Sequence, residues 1–268
     1  MSGTRVKSAL VFVPLLLLVS WLGGIVYFLF ILVMLGIGAW EYWRLLKTLG
    51  YDVSFPLMLA GVELLLVLRQ ISGFAATEWG LLAILLGSAI FSLVRYSKIE
   101  AQAVLTFGLH VSSILYLGWL GGYFLSLAAL PKGNWWVMVT FALVWMADLG
   151  GYIFGTKWGK HKMSLRLSPR KTWEGYLGGV IFGVGSGLLL SWLLRPVLPA
   201  LAIWEGALMG LVIALITPFG DLFISMLKRA AGVKDSGTLI PGHGGILDRA
   251  DTWLWAMMLG YYLVLAFA

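Results

Sequence analysis

The opening stretch "MSGTRVKSALVFVPLLLLVSWLGG", Met1 to Gly24, decides what kind of fold the rest can adopt. Two basic residues, Arg5 and Lys7, precede an apolar run, as in a secretory signal. No A-x-A cleavage site follows, and a second apolar run begins almost at once. The stretch is therefore read as a first transmembrane helix. The rest of the chain agrees. Of 268 residues, 60% are hydrophobic and only 12% charged, and the mean hydropathy is +0.94. A soluble domain carries about 25% charged residues. So large an apolar surplus cannot be hidden in one water-soluble core, and an integral membrane protein is expected.

A span needs about 20 apolar residues. Nine candidates follow: Ala9–Trp21, Ile25–Tyr42, Phe55–Leu68, Trp79–Val94, Val104–Leu130, Trp135–Phe154, Gly175–Leu194, Leu201–Leu227 and Thr252–Ala268. The first and third are short, and the first two can form one hairpin. The expected class is an all-α, polytopic membrane protein with about nine transmembrane helices. With the N-terminus in the cytoplasm, sixteen Lys and Arg fall on the cytoplasmic side and three (Arg69, Lys132 and Arg195) outside. One missed helix would invert everything after it, so the asymmetry supports that topology. The net charge of +7 then reflects loops facing anionic headgroups and a polyanionic substrate, with no nucleic acid involved. The absence of cysteine excludes disulfides, thiol catalysis and zinc–thiolate sites.

Polarity is uneven along the chain. Glu41, Asp52, Glu63, Glu78 and Glu100 are scattered, whereas Asp148, Glu174, Asp221, Asp235, Asp248 and Asp251 lie beside basic loops. Residues 1–133 read as a transmembrane scaffold and 134–268 as the catalytic region. The halves show no repeat of the kind many transporters carry.

Three segments could carry chemistry. In "PFGDLFISMLKR", Pro218–Arg229, the residues Asp221, Ser225 and Lys228 are spaced i, i+4, i+7 and share a helical face. A carboxylate at membrane depth is a functional candidate; the plainer reading is an ion pair of Asp221 with Lys228 or Arg229. In "KDSGTLIPGHGGILDRAD", Lys234–Asp251, the glycines around His243 can turn backbone N–H groups inward as an anion nest. Asp248 and Asp251, at i and i+3, offer oxygen ligands for a hard cation such as Mg2+. The plainer reading makes Asp248 a helix N-cap. In "GTKWGKHKMSLRLSPRKTWEG", Gly155–Gly175, a dense basic run could merely set topology. Within it, Ser168-Pro169 opens a turn, and Lys171 and Thr172 sit at a helix N-terminus that favours phosphate. "GTKWGKH" is not a P-loop: its glycines are one residue too close and His161 stands where Ser or Thr is required. Together the segments supply carboxylates, cations and a glycine nest that can converge at the cytoplasmic surface. That equipment suits metal-assisted phosphoryl or nucleotidyl transfer with a lipid as one substrate.

"SMLKRAAGVKDSGTLIPGHGGILDRAD", Ser225–Asp251, resembles the signature of the phosphatidate cytidylyltransferases (CDP-diacylglycerol synthases). "ADLGGYIFGTKWGKHK" and "SPRKTWEG" are similar to that family's preceding segments, in the same order, so the resemblance covers about residues 140–268. Departures are Ala250, where a larger apolar residue is usual, Arg170 in place of Lys, and Leu149-Gly150 after Asp148.

The resemblance implies that CTP and phosphatidic acid give CDP-diacylglycerol and pyrophosphate. It implies that Asp221 and Asp248 hold Mg2+, with Asp251 a further ligand and Asp148 a secondary candidate. Lys228, Arg229 and Lys171 would neutralise phosphates. His243, Gly244 and Gly245 would shape the phosphate or nucleotide pocket, and Ser168, Thr172, Glu174, Lys234, Asp235 and Arg249 join the substrate-binding candidates. A second, monovalent cation is left open. The family's tendency toward dimers suggests a homodimer, in a bacterial-type inner or plasma membrane with the site facing the cytoplasm. The rival readings are a CTP-dependent polyprenol or phytol kinase, a cytidylyltransferase for another lipid, an ion-coupled transporter or flippase, and a non-catalytic scaffold.

Overall fold

The computed structural model describes residues 3–199, 201–240, 242 and 244–267. The helices are α1 (Gly3–Leu22), α2 (Gly24–Thr48), α3 (Phe55–Ser72), α4 (Thr77–Ile99), α5 (Ala103–Ile114), α6 (Leu120–Ala128), α7 (Gly133–Lys157), α8 (Trp173–Leu193), α9 (Ile203–Ala230) and α10 (Leu247–Phe267). A 3-10 turn, Glu100–Gln102, joins α4 to α5, and a π-helical turn, Leu115–Trp119, joins α5 to α6. The one sheet among the described residues is a hairpin of β1 (Lys162–Ser164) and β2 (Ser168–Thr172). Ser168-Pro169, expected to open a turn, instead begins β2, and the turn falls at residues 165–167. The protein is an all-α polytopic membrane protein carrying this small hairpin.

Seven of the described helical stretches are long and apolar enough to cross a membrane, where the sequence led to nine. The difference has two sources. The apolar part of α1 is only Phe12–Leu22, and the helical segments of Thr77–Ala128 follow one another through the 3-10 and π turns as one stretch of 52 residues. A straight helix of that length would be roughly 78 Å, far more than one membrane thickness. The chain instead reverses at the 3-10 turn, and α4 and α5 lie against each other. The surface is apolar: Val104 is 85% exposed and Val94 76%. Polar side chains such as Glu41, His110 and Asp251 are buried. This distribution suits a chain whose solvent is hydrocarbon.

The chain divides into two compact units. One comprises Met1–Ser126 with Leu227–Ala250, the other Leu127–Met226 with Asp251–Ala268. In the first, α2 and α3 pack around Ile31, Leu35, Val62, Leu65 and Leu66, with Ile114 and Leu117 inserted beside them. Ser54 caps α3 by accepting from Leu57 N, and Ser54 N donates to Nε2 of the buried His110 at 2.8 Å. His110 Nδ1 lies 3.0 Å from Thr106 O. The ring is therefore neutral, with Nδ1 as donor and Nε2 as acceptor, and its role is to hold the chain entering α3.

In the second unit, close backbone approach replaces side-chain bulk. Gly175, Gly179, Gly183 and Gly187 recur every fourth residue and form one stripe along α8. A methyl group on Gly179 would stand 2.9 Å from the Ala147 carbonyl of α7. One on Gly183 would meet Ala214 and the Gly210 carbonyl of α9 at 2.7 Å, and one on Gly187 would overlap the Gly206 carbonyl. Between membrane helices, where lipid is as apolar as leucine, such small-residue seams supply the packing. The α7–α8 pair also packs against β2 of the hairpin. Phe141 packs edge-on against Trp253 of α10 at 5.1 Å between ring centres.

Candidate functional site

The polar residues gather into two clusters, one in each compact unit. The cluster in the first unit begins with the end of α9. Lys228 is 6% exposed and lies in the last turn, where a cation complements the helix dipole. Its Nζ donates to Asp248 Oδ1 at 2.5 Å. Asp248 Oδ2 accepts from Ser236 N at 2.8 Å and Gly245 N at 2.9 Å and lies 3.0 Å from Ser236 Oγ. Asp248 is thus no N-cap. It lies in the first turn of α10 and gathers an ammonium and two backbone N–H donors from the preceding loop.

A residue the sequence reading had set aside as scaffold completes this cluster. Glu41 of α2 is fully buried. Its Oε1 accepts from Ile246 N at 3.0 Å, and its Oε2 accepts from Leu247 N at 2.8 Å and Ser236 Oγ at 2.7 Å. These backbone N–H groups begin α10, where a carboxylate is favoured. They also explain why α10 starts at Leu247, five residues before the expected Thr252. The Gly245, Ile246 and Leu247 N–H groups donate to the protein's own carboxylates, Asp248 and Glu41. Gly244 adopts φ +83° beside Asp248 and Asp235, a conformation and a space that suit glycine. The signal for Glu41 was faint: one acidic residue inside an otherwise apolar run.

Around this cluster, Arg229 donates from Nη1 to Val233 O at 2.9 Å and is exposed, as are Lys234 and Asp235. Arg249 is half-buried, and its Nε is buried with no hydrogen-bond partner among the described residues. His243 and Pro241 lie outside the described residues.

The cluster in the second unit centres on Lys171 and Asp221. Lys171 Nζ lies 2.5 Å from Asp221 Oδ2 and donates to Pro218 O at 3.3 Å. The two side chains keep 27% and 30% of their surface exposed. Ser225 Oγ donates to Asp221 Oδ1 at 3.4 Å, so the expected i, i+4 pairing on α9 is present. Asp221 is paired with Lys171 of β2, and Lys228 with Asp248 of α10. Thr172 is the N-cap of α8 and accepts from Gly175 N at 3.1 Å. Lys171 is therefore held one residue before a capped helix start. Glu174, in the first turn, accepts from Lys160 N at 3.1 Å and His161 N at 3.2 Å, and meets His161 Nδ1 at 2.6 Å. It ties the end of α7 and the entry to the hairpin onto α8. Ser168 is half-buried at the start of β2, and Asp148 is exposed on α7. Asp251 is 2% exposed, and its Oδ1 accepts from Thr252 N at 2.7 Å.

Among the described residues, no three His, Asp or Glu side chains come together as a metal cage. The donor chemistry still suits Mg2+, which takes one or two carboxylates and fills its shell with water and substrate phosphates. Asp221, partly exposed, fits that requirement better than Asp248, whose side chain is 4% exposed and already accepts from Lys228 Nζ, Ser236 N and Gly245 N.

The protein is thus a polytopic helical membrane protein with one buried and one partly exposed lysine–carboxylate pair. The chain belongs to the cytidylyltransferase family, whose model matches residues 3–267. It is 32% identical to the phosphatidate cytidylyltransferase of Synechocystis sp., covering 98% of this chain and 97% of that protein. The phosphatidate cytidylyltransferase of Staphylococcus epidermidis is also 32% identical, over 96% of this chain and 95% of its own length. That of Mycobacterium tuberculosis is 38% identical over 145 residues, 53% of this chain and 43% of its own.

Proposed function

We propose that the protein transfers the cytidylyl group of CTP to phosphatidic acid, giving CDP-diacylglycerol and pyrophosphate. A phosphate oxygen of the lipid attacks the α-phosphorus of CTP. The bond from that phosphorus to the oxygen bridging to the β-phosphorus breaks, and pyrophosphate leaves with the electron pair. A phosphate monoester is largely dianionic near neutrality, so the nucleophile needs no general base. The work left to the protein is positioning and charge neutralisation.

The observation that carries this reading is the half-exposed Lys171–Asp221 pair beside the capped start of α8. Its ammonium can turn to a phosphate oxygen and free the carboxylate, at little cost for a pair of this exposure. Asp221 is the carboxylate best suited to hold Mg2+, with Asp248 and Asp251 as further candidates; when bound, the ion supplies neutralisation of the triphosphate charge. Lys228 and Arg229 are cations for the remaining phosphate charge. The positive-inside balance supports a cytoplasmic site, where CTP is available.

The test uses purified protein in detergent–lipid micelles with CTP labelled in the cytidine ring, phosphatidic acid and Mg2+. Label should enter the organic-soluble fraction, with one pyrophosphate released per label transferred. Transfer should require phosphatidic acid, stop with chelator and fall at least 100-fold in Lys171→Met. Release of CDP in place of pyrophosphate would move the reading to a CTP-dependent lipid kinase. No nucleotide turnover by folded protein would move it to transport.

A further inference from the structure

Glu41, in the first half of the chain, is joined by hydrogen bonds to Ser236, Ile246 and Leu247 of the 236–248 segment. Its single carboxylate touches both ends of the intervening loop, Ser236 at one end and Ile246 and Leu247 at the other. Midway, Ile240 N donates to Gly244 O at 2.9 Å and closes the loop on itself. The approach is close on both sides. A methyl group on Gly237 would stand 2.5 Å from Glu41 Oε1, and one on Gly245 would overlap the carboxylate. Glycine at these two positions therefore makes room for Glu41. Ser236 Oγ, with one proton, lies within reach of both Glu41 and Asp248. The loop's ends are thus registered against Asp248 and, through it, against Lys228.

We infer that Glu41 is a positioning residue for the nucleotide: it pins the two ends of the 237–245 loop and so fixes that loop's placement for CTP without touching the substrate. The inference rests on the proposed cytidylyl transfer for its kinetic readout, and its structural readout is independent of that. Glu41→Gln is nearly isosteric, yet whichever oxygen becomes the amide turns one N–H toward the N–H of Ile246 or Leu247. Loss of placement by about 1 Å can cost roughly 100-fold in rate.

The experiment compares wild type, Glu41→Gln, Gly245→Ala and the double variant in micelles. Expected for Glu41→Gln is a 10- to 100-fold fall in kcat/KM for CTP, with KM for phosphatidic acid changed less than twofold. Gly245→Ala should reproduce that split, and the double variant should be no worse than the poorer single one, because both remove one interaction. Amide exchange supplies the second readout. Ile246 and Leu247 should exchange at least tenfold faster in Glu41→Gln, while Gly175, capped by Thr172, should not change. If Glu41→Gln does not fold, Gly237→Ala reads the same contact from the other side. Unchanged CTP kinetics, equal rises in both KM values, additive losses in the double variant or unchanged exchange at Ile246 and Leu247 would each overturn the inference. A wild type without cytidylyl transfer sinks the proposed function, and the exchange measurement still decides whether Glu41 holds the loop.

Discussion

Replacing Lys228 with Met removes the cation from a site where Asp248 and Glu41, both buried, share the hydroxyl of Ser236. The Lys228 and Asp248 side chains are 8% and 4% exposed, so water cannot take the place of the ammonium. Breaking one side of such a pair costs about 3–5 kcal/mol. At about 2–4 °C per kcal/mol for a chain of this size, the unfolding midpoint should fall by roughly 6–20 °C. Asp248→Asn should cost a similar amount, because its amide oxygen can keep the Ser236 and Gly245 donors but its NH2 cannot accept from the Lys228 ammonium, which is left buried and unpaired. In the double variant the two losses should overlap, with a coupling of about 0.5–3 kcal/mol. Heating in detergent–lipid micelles while following emission from the 14 tryptophans measures all three. A Lys228→Met loss below about 1 kcal/mol, the level of an exposed pair, would refute the assignment of this pair as a buried anchor.

The Lys171–Asp221 pair should behave in the opposite way: Lys171→Met should lower stability by no more than about 1 kcal/mol, while cytidylyl transfer collapses. Thr172→Ala, which removes the α8 cap, should cost about 1 kcal/mol in the same unfolding assay, and Thr172→Ser much less. Gly187→Ala should destabilise by about 1–3 kcal/mol through overpacking against Gly206, whereas Gly185→Ala, which meets nothing within 4 Å, should be tolerated. Asp52, in the loop between α2 and α3, is held below the ordinary 3.8, first by its hydrogen bond from Arg95 and then by the charges of Arg95 and Lys47. A carboxyl lowered by folding stabilises fully above its ordinary value and loses that contribution as pH falls through the folded one. Unfolding midpoints measured from pH 6 to pH 3 should therefore drop on the acid side in wild type, with a shallower drop in Asp52→Asn.

The residues that made the chemistry legible, Lys171, Asp221, Lys228 and Asp248, stand out because an ionisable group in an apolar chain is costly and rarely accidental. All nine apolar runs correspond to helices. The α8 glycine stripe was equally visible as a repeat of four, yet its meaning depends on which helices lie against it. Three things depended on distant contacts. The first was partner choice: Asp221 and Lys228 share a helical face by spacing, but the opposite charges they meet, Lys171 and Asp248, come from segments outside that helix. The second was the start of α10, set five residues early by acceptors on Asp248 and on α2.

The third was Glu41. Local sequence marks it as one acid among apolar neighbours and says nothing of Ile246, some 200 positions later. The sequence by itself determined that the chain lives in a membrane, how its apolar runs are punctuated and which residue types could manage phosphate, because these follow from hydropathy and from the cost of burying charge. The tertiary structure alone decided which carboxylate meets which donor. Hydrogen bonds and ion pairs act over about 3 Å, and only the folded chain brings residues that are hundreds of positions apart within that range.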